Sequence, residues 1–534
     1  MDKPSTAKLL QEGLAMHRAG MRREAMDCYI QVLRENPENA DALYYVAVMT
    51  IQEGQTEDGV KLVRRALSFD PKQARLHNLL GQGLHRLGRQ QEALDAFGRA
   101  VELNPDYADA HGNRAHLLAE LGRPGEALLG FDHALKLRPN SADDWCNRGA
   151  TLHDLGRLAE ALESYDQAIA RDPQLVGAHV NRAEILRDLG QLDFALGKSD
   201  TQAFDDAEKA YSTAIRLEPQ LADARAGRAI LRLLRGQWES GWPDYEFRTH
   251  IGPPAFATLP DPQWRGEELR AGERLVLVTE RDVGDIITFS RFAPLLASRG
   301  YDVTVLAHKL VCPLLSTLRG VKVATSESEL REDPRPIKWL LLNSAAGVLD
   351  VRPETVPGDV PYLTVEPERV AKWAARLGTE GFKIGISWAR TADGSYDLKH
   401  DIPPIKFVDM ASLPGVRLIS LQAGPRMTDI ARLPFRDRIE TIDIESAANP
   451  SLDTAAVMSL LDLIIACDSP LAHLAGALGR PVFAALPVMS DWRWLLGRTD
   501  TPWYPTMRLF RQGAPHHWND VFGQMNSEVT RRVA

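Results

Sequence analysis

Asp462–Val482 reads DLIIACDSPLAHLAGALGRPV, and its interpretation decides the fold of the C-terminal half. The apolar run Leu463 to Cys467 is too short for a helix and β-branched enough for a buried parallel strand. Asp468-Ser469-Pro470 then reads as a helix start, with Ser469 as N-cap and Pro470 as the first helical residue. The amides of Leu471, Ala472 and His473 are expected to point free beyond the strand's carboxyl end, where a helix dipole favours an anion. That is the geometry of a phosphate seat. Ala472, Ala475, Gly476, Ala477 and Gly479 let the helix lie close on its sheet before Pro481 to Leu486 forms the next strand.

The whole chain has 534 residues, enough for two or three domains, and its hydrophobic content of 44% is that of an ordinary soluble protein. A formal charge of −9 argues against nucleic acid or an anionic membrane as a partner. Cys28, Cys146, Cys312 and Cys467 are scattered without metal-ligand spacing, which suggests a reducing compartment. No apolar run approaches the length of a membrane span, and the N-terminus lacks an unbroken apolar stretch. A soluble, cytoplasmic protein is the expectation.

Prolines stand at Pro37, Pro71, Pro105, Pro139 and Pro173, each 34 residues after the last, and then at Pro219, 12 residues late. A period of 34 is a helical-repeat signature. Gly88, Gly122, Gly156 and Gly190 fall at the turn between two helices, Ala93, Ala127 and Ala161 in the second helix, and Phe97, Phe131 and Tyr165 one turn later. The pattern resembles the tetratricopeptide repeat (TPR) over about 240 residues, which implies a superhelical array that captures a polypeptide. Asn113, Asn147 and Asn181 recur at one repeat position, each followed by arginine. They are either solvated polar positions or a ladder of amides able to hold an extended chain, and they resemble the asparagine ladder of O-GlcNAc transferases.

After the array, Trp238, Trp242, Tyr245 and Phe247 suggest a packed joint, and GPPAFATLPDPQW a Pro-rich crossing. Short β runs then alternate with helices. The first set is Leu275 to Thr279, Val303 to Ala307, Val321 to Ala324 and Ile337 to Leu342. After a helix at Pro367 to Leu377, the second is Lys383 to Trp388, Val416 to Leu421, Thr441 to Ile444, Leu463 to Cys467, Pro481 to Leu486 and Met507 to Phe510. Two such sets predict two doubly wound α/β lobes with a ligand cleft between their carboxyl edges. The expected domains are residues 1–252, 253–365 and 366–534.

Gly284-Asp285 follows the first strand of the first lobe, where spacing alone is equally the mark of an N-cap. Together with Asp-Ser-x-x-Ala-His at 468–473, it resembles the GT-B glycosyltransferases of the heptosyltransferase and O-GlcNAc-transferase-like groups. More narrowly it resembles bacterial proteins in which a TPR array precedes such a domain, flagellin glycosyltransferases among them. The resemblance implies a nucleotide-sugar as donor substrate, no metal and no resident cofactor, and flagellin as an acceptor. It makes Asp285 the general base beside the loop glycine Gly284. It places Asp468, Ser469, His473, Arg390, Lys399 and Gln422 on the donor, and Asn113, Asn147 and Asn181 on the acceptor polypeptide. Arg281-Asp282, His400-Asp401 and Arg390-Thr391-Ala392 depart from the family's usual residues.

Two residue groups keep a second reading. His473 is either a phosphate-side residue or a packing residue, and Trp492, Trp494, Trp503 and Tyr504 read as core in preference to a base-stacking platform. For function, the expectation is transfer of a sugar to Ser or Thr of a captured polypeptide. The alternatives are a scaffold with an inactive transferase-like domain and a transferase acting on a glycolipid.

Overall fold

The computed structural model describes residues 6–198, 202–252, 258–390, 397, 400–444 and 449–533. The chain divides into two compact units, Met1–Ile185 and Leu186–Ala534.

The first unit is built of helix hairpins, from Thr6–Arg18 with Arg22–Glu35 to Ala142–Asp154 with Leu158–Arg171. Ala93, Ala127 and Ala161 are fully buried, and Phe97, Phe131 and Tyr165 nearly so. The small residues are there because a ring needs the space. A Cβ on Gly81 would lie 2.6 Å from the Phe97 ring, and one on Gly149 2.7 Å from Tyr165. Gly88, Gly122 and Gly156 turn each hairpin with φ of 72°, 70° and 71°, a left-handed conformation that other residues rarely adopt.

The sixth repeat departs from the expected pattern. Helix Val176–Ala195 runs straight through Gly190, so that residue is not at a turn. Gly197, with φ of 75°, takes the turn instead, and the inserted residues lengthen the first helix of the pair. Gly190 makes room for Phe204, whose ring would lie 2.6 Å from a Cβ there.

The second unit begins inside that helix, not at residue 253. The reason is aromatic packing. In helix Trp238–Tyr245, Trp238 stacks on Trp503 at 5.4 Å and meets Trp492 edge-on at 5.7 Å, and Trp242 Nε1 donates to the Val351 carbonyl at 2.8 Å. Rings of this size each remove roughly 150–250 Å² from water. The last repeat helices therefore belong to the core of the sheet-bearing unit.

That unit holds two all-parallel sheets. The smaller comprises β1 (Arg274–Val278), β2 (Val303–Leu306), β3 (Lys322–Ala324) and β4 (Ile337–Leu341) in the order β3-β2-β1-β4. The larger comprises β5 (Phe382–Ser387), β6 (Val416–Ser420), β7 (Ile439–Thr441), β8 (Leu463–Cys467), β9 (Val482–Leu486) and β10 (Met507–Arg511) in the order β10-β9-β8-β5-β6-β7. The winding direction reverses between β1 and β4 in one and between β5 and β8 in the other. Such switch points open crevices at the strands' carboxyl ends.

Most strands fall within a residue of their expected bounds, but β7 lies at Ile439–Thr441 where Thr441 to Ile444 was expected. Ile439 pairs with Leu418 and Glu440 with Ile419. Arg417 also grips the Glu440 carboxylate at 2.7 Å through both Nε and Nη2. Those contacts fix the register earlier than the isoleucines at 442 and 444 suggest.

Candidate functional site at the two sheet edges

Both switch points open on one cavity of about 290 Å³. From the smaller sheet come Asp282, Gly284 and Asp285, and from the larger Arg390, Asp468, Ser469, His473, Asp491 and Arg493. Ile230, Tyr245 and Arg248, from the segment preceding both sheets, complete the wall.

The helix Val283–Phe289 is capped by Asp282, whose side chain accepts from the Asp285 amide at 2.8 Å. Asp285 is therefore not the cap, and its carboxylate is left for other work. One oxygen pairs with Arg493 Nη2, and the other accepts from Asn343 Nδ2 at 2.9 Å. Asn343 stands just beyond β4 and is fully buried. Burial raises Asp285 to about 6, aided by Asp282, Asp491 and Glu280 and opposed by Arg493. Gly284 lines the cavity and also lets the two sheets' helices pack closely. A Cβ there would meet His473 Cδ2 at 3.1 Å.

On the other side, Ser469 occupies the N-cap position of helix Pro470–Ala477 but makes no capping hydrogen bond, and its Oγ is buried without a partner. The amide seat is smaller than the three donors expected. Ala472 and His473 donate to the Ser469 carbonyl at 3.0 and 3.4 Å, which leaves Leu471 among those three.

His473 is a packing residue as well as a wall residue. Its ring stacks on Trp494 at 5.1 Å, and Nδ1 lies 3.0 Å from Thr288 Oγ1 and 3.1 Å from Tyr504 OH. Nε2 is 3.9 Å from the Asp468 carboxylate. Burial, with Arg493 nearby, lowers the imidazole to about 3, so it is neutral at physiological pH. Trp492, Trp494, Trp503 and Tyr504 are all buried in the core.

Arg493 binds both sides of the cleft, pairing with Asp285 and, through Nη1 at 2.7 Å, with Asp491. Its guanidinium also lies 4.7 Å over the Trp492 ring. Burial raises Asp468 while Arg493 lowers Asp491 against burial. Four carboxylates thus face the guanidinium groups of Arg248, Arg390 and Arg493.

Gln422 does not reach the cavity. Its Oε1 accepts from Ser387 Oγ and the amides of Trp388 and Ala389 at 3.2, 3.1 and 2.9 Å, fixing the loop that carries Arg390. The divergent Asp401 supports the same loop, accepting from the Arg390 amide at 3.1 Å while paired with Arg426 at 2.6 Å. Lys399 lies outside the described residues. Among the described residues, no group of His, Cys, Asp and Glu is arranged to hold a metal ion.

The asparagines stand in the first unit. Asn113 Nδ2 donates to Asn78 Oδ1 of the preceding repeat at 3.0 Å, and Asn181 Nδ2 approaches Cys146 Sγ at 3.9 Å. The arginines following two of them are tied to second helices, Arg148 to Asp132 at 2.7 Å and Arg182 to Asp166 at 2.6 Å. These rows therefore join repeats to one another.

Arg493, Asn343 and Arg248 escaped the sequence reading, and Tyr245 entered it only as part of the packed joint. Asn343 had a usable signal, since it directly follows a predicted strand at the edge where ligands bind.

Residues 16–83 and 142–175 match the tetratricopeptide repeat family, and residues 81–122 match the TPR repeat. The N-terminal helices form a TPR array. The chain is 27% identical over 330 residues to Protein FlbA of Caulobacter vibrioides, covering 57% of this chain and 54% of that protein. It thus spans about half the length of this curated relative. Among solved structures, it is similar to PilF of Pseudomonas aeruginosa, with TM-score 0.37 and 20% identity over 42% of this chain and 96% of that one. It is also similar to YrrB, a TPR protein with an unusual peptide-binding site, with TM-score 0.30 and 21% identity over 37% of this chain and 95% of that one. No helix among the described residues is long and apolar enough to cross a membrane.

Proposed function

We propose that the protein is a cytoplasmic glycosyltransferase of GT-B type that moves a sugar from a nucleotide-sugar to Ser or Thr of a polypeptide captured by the TPR array. Residues 253–365 would form the acceptor side and 366–534 the donor side. Flagellin is the acceptor suggested by the sequence resemblance. The observation that carries the reading is the convergence of two switch points on one cavity, with a carboxyl group of affinity near 6 on one wall.

In this reading Asp285 takes the hydroxyl proton while the acceptor oxygen bonds to the anomeric carbon. The bond from that carbon to the phosphate oxygen breaks, and the electron pair leaves with the phosphate. The Leu471 amide, the Ser469 hydroxyl and the guanidinium groups of Arg390 and Arg493 take up the developing charge.

A second reading is a scaffold with a relic domain. Its support is that both Asp285 oxygens are engaged within the protein, as in a structural carboxylate. Thermal melting of the full chain with a panel of nucleoside diphosphates separates the two. The transferase reading expects at least one nucleotide to raise the melting temperature in a saturable way. No shift with any of them, together with no sugar transfer, favours the scaffold.

A further inference from the structure

Arg493 holds the proposed base. One terminal nitrogen is on Asp285 and the other on Asp491, and its Nε is buried without a hydrogen-bond partner. The side chain is 7% exposed and lines the cavity together with Arg390 and Ser469. A carboxylate engaged by a guanidinium on one oxygen and by Asn343 on the other is poorly placed to receive a proton from a third group. A phosphate entering the same cavity offers that guanidinium an alternative partner with two parallel acceptors, the geometry for which arginine is best suited.

We propose that Arg493 is a two-position residue: it clamps Asp285 until the donor binds and then transfers to the donor's phosphates, freeing the base. This rests on the glycosyltransferase reading and adds an order of events to it. The donor binds first, because only then is Asp285 open to the acceptor hydroxyl. Arg493 then stands at the leaving phosphate during transfer. Asn343 stays on Asp285 and positions it throughout.

The competition between carboxylate and phosphate for one guanidinium can be read without knowing the base or the sugar, using inorganic pyrophosphate as the probe in calorimetry on the full chain. Arg493→Gln is expected to weaken pyrophosphate roughly tenfold or more, the loss of a charge-assisted contact. Asp285→Asn is expected to tighten it severalfold, because Arg493 no longer has to leave a carboxylate. In the double variant that gain must disappear. A gain that persists there is the removal of a nearby negative charge and overturns the clamp.

Arg493→Gln takes the guanidinium from Asp491 and leaves it the backbone amide of residue 493 at 2.9 Å. If it does not fold, Arg493→Lys takes its place, keeping charge but losing the two-sided grip. Tryptophan emission supplies a second readout, since Arg493 lies against Trp492. Pyrophosphate must change that emission in the parent and not in Arg493→Lys. Unchanged emission in the parent on saturation overturns the clamp, and absence of pyrophosphate binding in every protein overturns both it and the donor site. Pyrophosphate binding with the expected couplings, but without sugar transfer from any nucleotide-sugar, overturns the transferase reading alone.

Discussion

The two units use the same charged residues in opposite ways. In the array, Arg89 with Glu92, Arg123 with Glu126 and Arg157 with Glu160 repeat one solvent-facing pair, three residues apart, at three successive hairpin turns. In the sheet-bearing unit, Arg426 is buried between Asp401 and Asp429, and Arg493 between Asp285 and Asp491. An exposed pair set by local helix geometry is screened by water and contributes little. A buried pair loses solvation that its own attraction only partly restores, so breaking it by removing one partner leaves a stranded charge. Charge in the array follows the repeat, whereas charge in the sheet unit fixes loops and side chains at two strand edges.

The largest consequence is expected at Asp285. Asp285→Asn retains the Asp282 cap and an acceptor for Asn343, but it is a far poorer base, and sugar transfer should fall by roughly two to four orders of magnitude. Assay of the parent and variant with the nucleotide-sugar that stabilises the protein checks this. Transfer near the parent rate would remove Asp285 from the chemistry.

Next is the buried pair that supports the Arg390 loop. Asp401→Ala leaves buried Arg426 with Asp429 as its remaining carboxylate and takes the acceptor from the Arg390 amide, and should lower unfolding stability by about 1.5–3 kcal/mol in urea titration. A loss below 1 kcal/mol would mean that this cluster is no different in kind from the exposed pairs.

The pH dependence is smaller and has a definite sign. Asp285 works as a base only when ionised, so the transfer rate should rise about tenfold per pH unit up to about 6 and then level off. Because its folded affinity lies above the ordinary carboxyl value of 3.8, protonation favours the fold. That contribution to stability is complete below about 4 and is lost as pH rises through about 6. A flat rate profile from pH 5 to 8 contradicts the assignment. At the small end, Arg123→Ala should leave the melting temperature of the full chain unchanged, since both members of its pair lie in water. A clear drop would show that the repeated pairs stabilise the turns.

How much was legible follows from how far apart the deciding residues stand. The 34-residue period fixed the array because each repeat packs through local contacts, as in Gly81 under Phe97. β8 and its helix start were readable because a five-residue apolar run bounded by Asp-Ser-Pro has few other solutions. Gly190 misled because the 34-residue period places a turn there, whereas the lengthened helix continues through it to Ala195. The Asp282 cap was hidden since Asp282 and Asp285 are both acceptable helix-start residues, and only the hydrogen bond to the Asp285 amide distinguishes them. Arg493 and Asn343 meet Asp285 from 208 and 58 residues away, and no local pattern encodes such a meeting.

The central claim is that the cavity between the two strand edges receives the phosphates of a nucleotide. Its most direct measurement is calorimetric titration of nucleoside diphosphates into the full chain and into Arg390→Ala, whose side chain lines that cavity without a part in the core. The account predicts one-to-one binding of at least one nucleotide by the parent and a loss of roughly tenfold in the variant. Equal affinity in both proteins, or no binding by the parent, would contradict it.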